Sequence, residues 1–237
     1  MTQVQFRDLA GMTEFLEAEA LQARVWGEGD TPDPADLMMV IQAEGGLVGG
    51  AFADGKLVGY VFGFPTATAN IQHSHRLAVL HDMRGRGLGA KLKWYQRRWC
   101  LERGIRHVRW TFDPMRAVNA NLNTNCLGAR SSTYYQDYYG AMGGINEGLP
   151  SDRLLVDWFL DEPDVVEKST GGGSGRVPDG WMRIPLSPAT ASGEADPLTA
   201  RLALRDRLQG AFAEGAEVVG FDPVANDYLL RPRRVSA

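Results

Sequence analysis

Cysteine is nearly absent from this sequence of 237 residues: Cys100 and Cys126 are the only two. Neither has a Cys or His partner at zinc-finger spacing, so a disulfide framework and a cysteine-based zinc module are both excluded. No apolar run reaches the ~18 residues that a membrane-spanning helix needs. The opening residues, MTQVQFRDLAGMTEF, lack a basic segment followed by an apolar one, so a cytoplasmic location is expected. The net charge of −4 leaves no overall excess of positive charge, and neither a nucleic-acid nor a membrane partner is expected. A Gly-Lys-Ser/Thr phosphate loop is also missing. What remains is 44% hydrophobic and 23% charged, the balance of an ordinary globular chain. At this length a full core can be buried without metal or disulfide staples.

The sharpest compositional break is Gly171-Gly172-Gly173-Ser174-Gly175, which reads as a linker because such a run has nothing to pack. The expected domains are therefore 1–168, a linker over 169–176, and an extension over 177–237. In the first part, strand-like and helix-like segments alternate. Val4–Leu9 reads as a strand, Thr13 to Val25 as a helix with Thr13 as its N-cap, and Ala35–Ala43 as a second helix. The run Asp30-Thr-Pro-Asp-Pro34 between those helices reads as a loop. Leu47–Ala53 and Lys56–Phe64 form a hairpin through Asp54-Gly55, a pair suited to the positive φ of a type I′ turn. Ser74–Leu80 is the next strand, followed by a glycine-rich loop and a helix over Leu88–Glu102. Ile105–Phe112 is a strand, Asn119–Leu127 a short helix, and Ser132–Tyr139 and Leu154–Leu160 two further strands. The extension reads as strand (Trp181–Leu186), helix (Leu198–Ala213) and hairpin (Glu217–Phe221, Tyr228–Leu230). Its apolar helix face is expected to dock on folded protein.

The chemistry centres on Arg84-Gly85-Arg86-Gly87-Leu88-Gly89, between a strand and a helix. Glycines there let backbone N–H groups approach an anion, and a helix N-terminus adds partial positive charge. The arginines can add charge-assisted contacts. A phosphate or pyrophosphate cradle is one reading, and a loop that binds nothing is the other. The spacing Gly85-x-Gly87-x-Gly89 does not fit a Rossmann fingerprint.

These residues carry a resemblance. Arg84, Gly87 and Gly89 match the Arg/Gln-x-x-Gly-x-Gly/Ala motif of the GNAT (Gcn5-related N-acetyltransferase) superfamily, and the order of elements over about residues 3–161 is similar. A subgroup of predicted acyltransferases is closer still. The shared features are His-Ser before the fourth strand, Trp110-Thr-Phe-Asp-Pro114, Asn119-Ala120, Asn123, Leu127-Gly128-Ala129 and Asp152-Arg153. The resemblance implies an α+β GNAT fold, a mixed sheet split between strands four and five, with a C-terminal β-α-β-β extension, which could be a truncated GNAT-like lobe. It implies acetyl-CoA or another acyl-CoA as co-substrate and no metal. The pantetheine arm would lie along Ala78, Val79 and Leu80. The pyrophosphate would be held by Arg84, Gly85, Arg86, Gly87, Leu88, Gly89 and Ala90, with Asn119 and Asn123, four apart on one helical face, near the arm. Many members carry a thiolate-protonating tyrosine in the helix after strand five. None stands between Asn119 and Leu127 here, which leaves the general acid open.

Three of the four histidines fall within nine residues: His73, His75 and His81. His73 and His75 share a strand face, and an ordinary imidazole titrates near neutrality, so His73, with His75 as the fallback, is a candidate base for the attacking amine. A purely structural role and a His-x-His zinc site are the alternatives. Arg76 is expected on the opposite face, salt-bridged or solvated. Asp113 is either the cap of the turn at Pro114 or an acceptor-site residue. Cys126 is expected to be a small buried residue. Together these readings give an N-acyltransferase that moves an acetyl or succinyl group from acyl-CoA to a small primary amine such as an amino acid, by direct attack. A non-catalytic acyl-CoA-binding regulator and a protein-lysine acetyltransferase are the rivals. A homodimer is left open.

Overall fold

The chain opens with strand β1 (Val4–Asp8), which pairs antiparallel with β2 (Leu47–Ala53). In the computed structural model, residues 3–27, 29–140, 148–172, 180–187, 189–190, 193–194 and 196–232 are described. The chain divides into two compact units, Met1–Arg109 and Trp110–Ala237.

In the first unit the strand order is β1, β2, β3 (Lys56–Pro65), β4 (Ile71–Val79) and the start of β5 (His107–Phe112). All neighbours are antiparallel except β4 and β5, which run parallel. The β2–β3 turn has Asp54 at φ 49° and Gly55 at φ 75°, the positive pair that the Asp-Gly sequence calls for. Helices α1 (Gly11–Trp26) and α2 (Ala35–Ala43) lie between β1 and β2 in sequence. Helix α1 starts two residues before Thr13. Ala10 holds the N-cap position, and its N–H donates to the Glu14 carboxylate at 2.8 Å, so a charged residue in the first turn does the capping that Thr13 was expected to do. Helix α3 (Leu88–Glu102) packs on β2, β3 and β4. Gly49 is what allows its close approach: a Cβ at Gly49 would meet the Tyr95 ring at 2.7 Å.

The second unit takes the rest of β5, then helix α4 (Ala117–Asn121), which runs into a π-helical turn over Leu122–Cys126. Strands β6 (Arg130–Tyr135) and β7 (Arg153–Phe159) pair antiparallel. Helix α5 (Pro163–Ser169), a pair of two-residue strands β9 (Ala189–Thr190) and β10 (Gly193–Glu194), β8 (Met182–Pro185), helix α6 (Pro197–Ala213), β11 (Ala216–Asp222) and β12 (Asp227–Pro232) complete it. Its strand order is β5, β7, β6, β11, β12, β8. The extension thus continues a sheet: Val218 of β11 pairs with Ser131 of β6. Tyr228 donates its buried hydroxyl to the Pro114 carbonyl at 2.5 Å. In the extension the last strand, β12, lies between β11 and β8, whereas β1, β2 and β3 lie in sequence order.

Several local expectations are corrected. Strand β6 ends at Tyr135, and residues 136–139 turn instead of extending the strand. Ser169, expected in the linker, closes α5, and Thr170 and Gly171 form a turn after it. Residues 173–176 of the expected linker lie outside the described residues. Cys126 is exposed at the end of the π-helical turn, while Cys100 is buried against the sheet. In this stretch Asn119 is exposed and Asn123, inside the π-helical turn, is buried.

Candidate functional site

At the start of β4, Ile71–His73 pair in parallel with His107–Arg109 of β5. From Ser74 to Val79 the recorded ladder partners of β4 are all on β3. This stretch includes Ala78 and Val79, expected to lie along a pantetheine arm. Leu80 follows, with its N–H tied to the Val58 carbonyl at 2.9 Å. The chain then makes a single 3₁₀ turn, His81–Met83, and enters the glycine loop.

Gly85 and Gly87 adopt φ of +75° and +71°, where a side chain is strained, and nothing lies within 4 Å of a Cβ built on either. Gly87 is the N-cap of α3 and supplies no side-chain cap, which leaves the first-turn N–H groups of Leu88, Gly89 and Ala90 to the loop's open side. Gly89 is in ordinary helical conformation, and its Cβ would sit 3.8 Å from Leu77. No internal contact demands glycine there. Arg84 folds back, its Nε 3.4 Å from the Val79 carbonyl. Strand end, open loop, uncapped helix and two arginines are together suited to a pyrophosphate.

On the other side of β4 a second cluster forms around a β-bulge. Phe62 pairs with Arg76 and Gly63 with Ser74, so His75 is the extra residue. The bulge resets the alternation. Arg76, expected opposite His75, instead joins it against Asp33. Arg76 Nη1 lies 2.5 Å from Asp30 and its Nε 3.1 Å from Asp33, and the guanidinium sits over the Trp26 ring at 4.7 Å. The His75 Nε2 is 3.3 Å from Asp33 Oδ1. Burial pushes the Asp33 carboxyl up, but the His75 hydrogen bond and the charges of His75 and Arg76 outweigh it and hold the group below the usual carboxylate range. Tyr60 is fully buried beside these charges, and its hydroxyl has no hydrogen-bond partner among the described residues.

His73 does share a face with His75, their rings 6.1 Å apart, and it packs on Phe64 at 5.1 Å. Burial first, then the neighbouring His75, Arg109 and Lys93, push its imidazole down to about 4. At neutral pH it is an uncharged and weak base.

The opposite face of β4 carries a buried polar layer that sequence reasoning missed. Lys93 donates to Ser74 at 3.0 Å and to Gln96 at 2.7 Å, and Gln96 donates to Gln72 at 2.7 Å. The alternation Gln72, Ser74 was its available signal. Asp30 and Asp33 were missed as well, although a rigid Pro-Asp-Pro segment is visible in the sequence.

Asn119 and Asn123 belong to the second unit. Among the asparagines of that run, Asn125 has the clearest structural role: it donates to the Phe221 carbonyl at 2.6 Å and accepts from the Phe221 N–H at 3.2 Å, which ties β11 down. Asp113 caps its turn by accepting from the Met115 N–H at 2.9 Å and also binds Arg201. Tyr134 donates its hydroxyl to Asp152 at 2.6 Å.

Comparison with known proteins agrees with this architecture. The sequence model described as "Acetyltransferase (GNAT) family" matches residues 12–123, a little under half of the chain. No curated protein matches by sequence. Among solved structures, the ribosomal-protein-S18-alanine N-acetyltransferase of Escherichia coli is similar with a TM-score of 0.56 at 17% identity, covering 68% of this chain and 96% of that one. A GNAT-family acetyltransferase of Streptococcus pneumoniae gives 0.55 at 17%, covering 66% and 99%. An N-acetyltransferase of Staphylococcus aureus gives 0.56 at 12%, covering 67% and 99%. At these identities the likeness shows the fold: a mixed α+β sheet with a parallel pairing between β4 and β5.

Proposed function

We propose that this chain is an acyl-CoA-dependent N-acyltransferase of the GNAT type, which transfers an acetyl or succinyl group to the primary amine of a small molecule such as an amino acid. The observation that carries this reading is the strand–loop–helix unit from Val79 to Leu88. Its two glycines have positive φ, and its helix start is open and uncapped. The matched family segment spans this unit. In this reading residues 1–168 carry the reaction and 177–237 are an extension. No nucleic-acid or membrane partner enters it, and no described helix is long and apolar enough to cross a membrane.

The chain's part in the reaction is chiefly to bind and orient. The β4 backbone at Ala78–Leu80 would align the pantetheine amides as an added strand would. The N–H groups of residues 85–90, with Arg84 and Arg86, would hold the pyrophosphate. The acyl carbon is thereby fixed for direct attack by the amine, and holding reactants in line supplies much of the rate. A group on β4 then takes the ammonium proton.

Titration calorimetry with CoA tests the site. Gly89→Glu is the cleanest variant, because its backbone is ordinary and the space is open, so the chain folds while a carboxylate is placed against the phosphates. Affinity is expected to fall at least tenfold, and Gly87→Trp should do the same. Unchanged affinity in folded variants would remove the assignment. A second reading, a non-catalytic acyl-CoA sensor, draws on the lack of a tyrosine between Asn119 and Leu127. Release of free CoA across amino acids, polyamines, arylalkylamines and lysine peptides separates the two and also exposes a protein-lysine preference.

A further inference from the structure

Asp33 is held more firmly than a loop aspartate usually is. Prolines flank it at positions 32 and 34 and restrict its backbone. The buried Gln22 side chain clamps both of its peptide groups: it accepts from the Asp33 N–H at 2.8 Å and donates to the Asp33 carbonyl at 3.2 Å. Two residues on, the Ala35 N–H donates to Glu19 at 2.7 Å, which ties the next turn to α1. On the carboxylate itself, Oδ2 lies 3.1 Å from Arg76 Nε, an ion pair without hydrogen-bond geometry, and Arg76 is in turn held by Asp30 and by the Thr31 carbonyl. A carboxylate this fixed presents its remaining oxygen, Oδ1, to His75 Nε2 at 3.3 Å. His75 is the bulged residue of β4, within the stretch whose recorded partners lie only on β3.

We propose that Asp33 is a positioning residue that fixes His75 as the proton acceptor for the attacking amine. A carboxylate only accepts hydrogen bonds, so the proton of the neutral His75 ring must sit on Nε2 and the lone pair on Nδ1. Nδ1 has no partner among the described residues, and the side chain is partly exposed. This assignment rests on the acyl-transfer reading above. One proton of the acceptor's ammonium group passes to His75 Nδ1 and on to solvent. The freed nitrogen pair forms the bond to the thioester carbon. The C–S bond breaks with its pair on sulfur, and the second nitrogen proton ends on the thiolate. Asp33 stays ionised and stabilises the imidazolium while it exists. His73, on the same face, has no such carboxylate beside it among the described residues, where its ring contacts are Phe64 and His75.

The tautomer of His75 tests this without reference to turnover. In the ¹⁵N-labelled full chain, two-bond proton–nitrogen spectra should show His75 as the Nε2–H form. Asp33→Asn, whose amide can either donate or accept, should abolish that preference. A wild-type ring with its proton on Nδ1, or one unchanged by Asp33→Asn, overturns the assignment, and the wild-type spectrum alone decides if that variant does not fold. Kinetics with acetyl-CoA and the best amine of the panel give the second arm. His75→Gln should lower kcat by ~10²-fold or more, as is typical of lost general-base catalysis, and Asp33→Asn, which removes only the positioning, by about tenfold or more, each with KM for acetyl-CoA within about twofold. The double variant should be no slower than His75→Gln alone, because the two act as one unit. A fall of less than about threefold in Asp33→Asn, or additive losses, overturns it. A folded wild type that acylates nothing, with the expected tautomer, overturns the acyl-transfer reading and with it the role given to the pair.

Discussion

Lys93 donates to Gln96 one helical turn away, Nζ to Oε1 at 2.7 Å, inside a fully buried layer between α3 and β4. A lysine taken wholly out of water pays heavily for its charge, and burial pulls this ammonium down to about 7 from its ordinary 10.5. The neighbouring Cys100 thiol is pushed up to about 12 by the same burial.

A lysine so depressed makes stability depend on alkaline pH. Between about 7 and 10.5 the unfolded chain keeps the Lys93 proton and the native one releases it. The unfolded state therefore binds more protons there, and stability rises with pH across the window. Below about 7 both states carry the proton and the full burial penalty remains. Urea unfolding of Lys93→Met should show a shallower rise than the wild type, the difference approaching ~1 kcal/mol for each step of one in pH. The ceiling is ~1.4 kcal/mol per step, reached when one whole proton separates the two states. The lost hydrogen bonds to Ser74 and Gln96 add an offset that does not change with pH. Parallel curves for the two proteins from pH 7.5 to 9.5 would show that Lys93 keeps its proton throughout.

His73 acts in the acid range. Its native imidazole titrates near 4 while an unfolded one takes its proton near 6.5, chiefly because burial opposes the charge. Between those values the unfolded chain binds the extra proton, so stability falls as pH drops through the window. Asp33 and Asp152, held low by their partners, lose stabilisation as the pH falls further. Subtraction isolates the histidine: thermal unfolding of His73→Gln from pH 7 to 4 should decline less steeply than the wild type. An identical decline would place the His73 ring in contact with water.

The hairpin at Asp54-Gly55, helix α2 and helix α3 were legible in the sequence because each depends on local rules: turn chemistry, spacing of apolar residues, a glycine at the helix start. The Val79–Leu88 unit was legible for the same reason. The Asp33 cluster was not. Asp33 and His75 are 42 positions apart, and the bulge that turns Arg76 toward the same carboxylate leaves no mark in the sequence around His73, His75 and Arg76. The buried Lys93 was equally hidden, since lysine on an amphipathic helix reads as solvent-facing. The π turn at Leu122–Cys126 likewise leaves no mark in the run of asparagines.

Asp113 and Arg201 offer the sharpest stability test. They are 88 positions apart and meet in two hydrogen bonds of 2.7 and 3.0 Å, with both side chains largely buried. This pair, with Arg205 on Asp152 at 2.6 and 2.8 Å, secures α6 within the second unit. Desolvating the charges costs nearly as much as their attraction returns, so the intact pair adds little net stability. Breaking it is different. Arg201→Met leaves the Asp113 carboxylate with the Met115 N–H and the nearby charge of Arg153, and should cost ~2–4 kcal/mol in denaturant unfolding, toward the lower end of what breaking a buried pair costs. Adding Asp113→Asn removes that charge while the amide oxygen can still accept from Met115. The double variant should therefore be more stable than Arg201→Met alone. If Arg201→Met costs under about 1 kcal/mol, water reaches the carboxylate and the pair behaves as a surface contact.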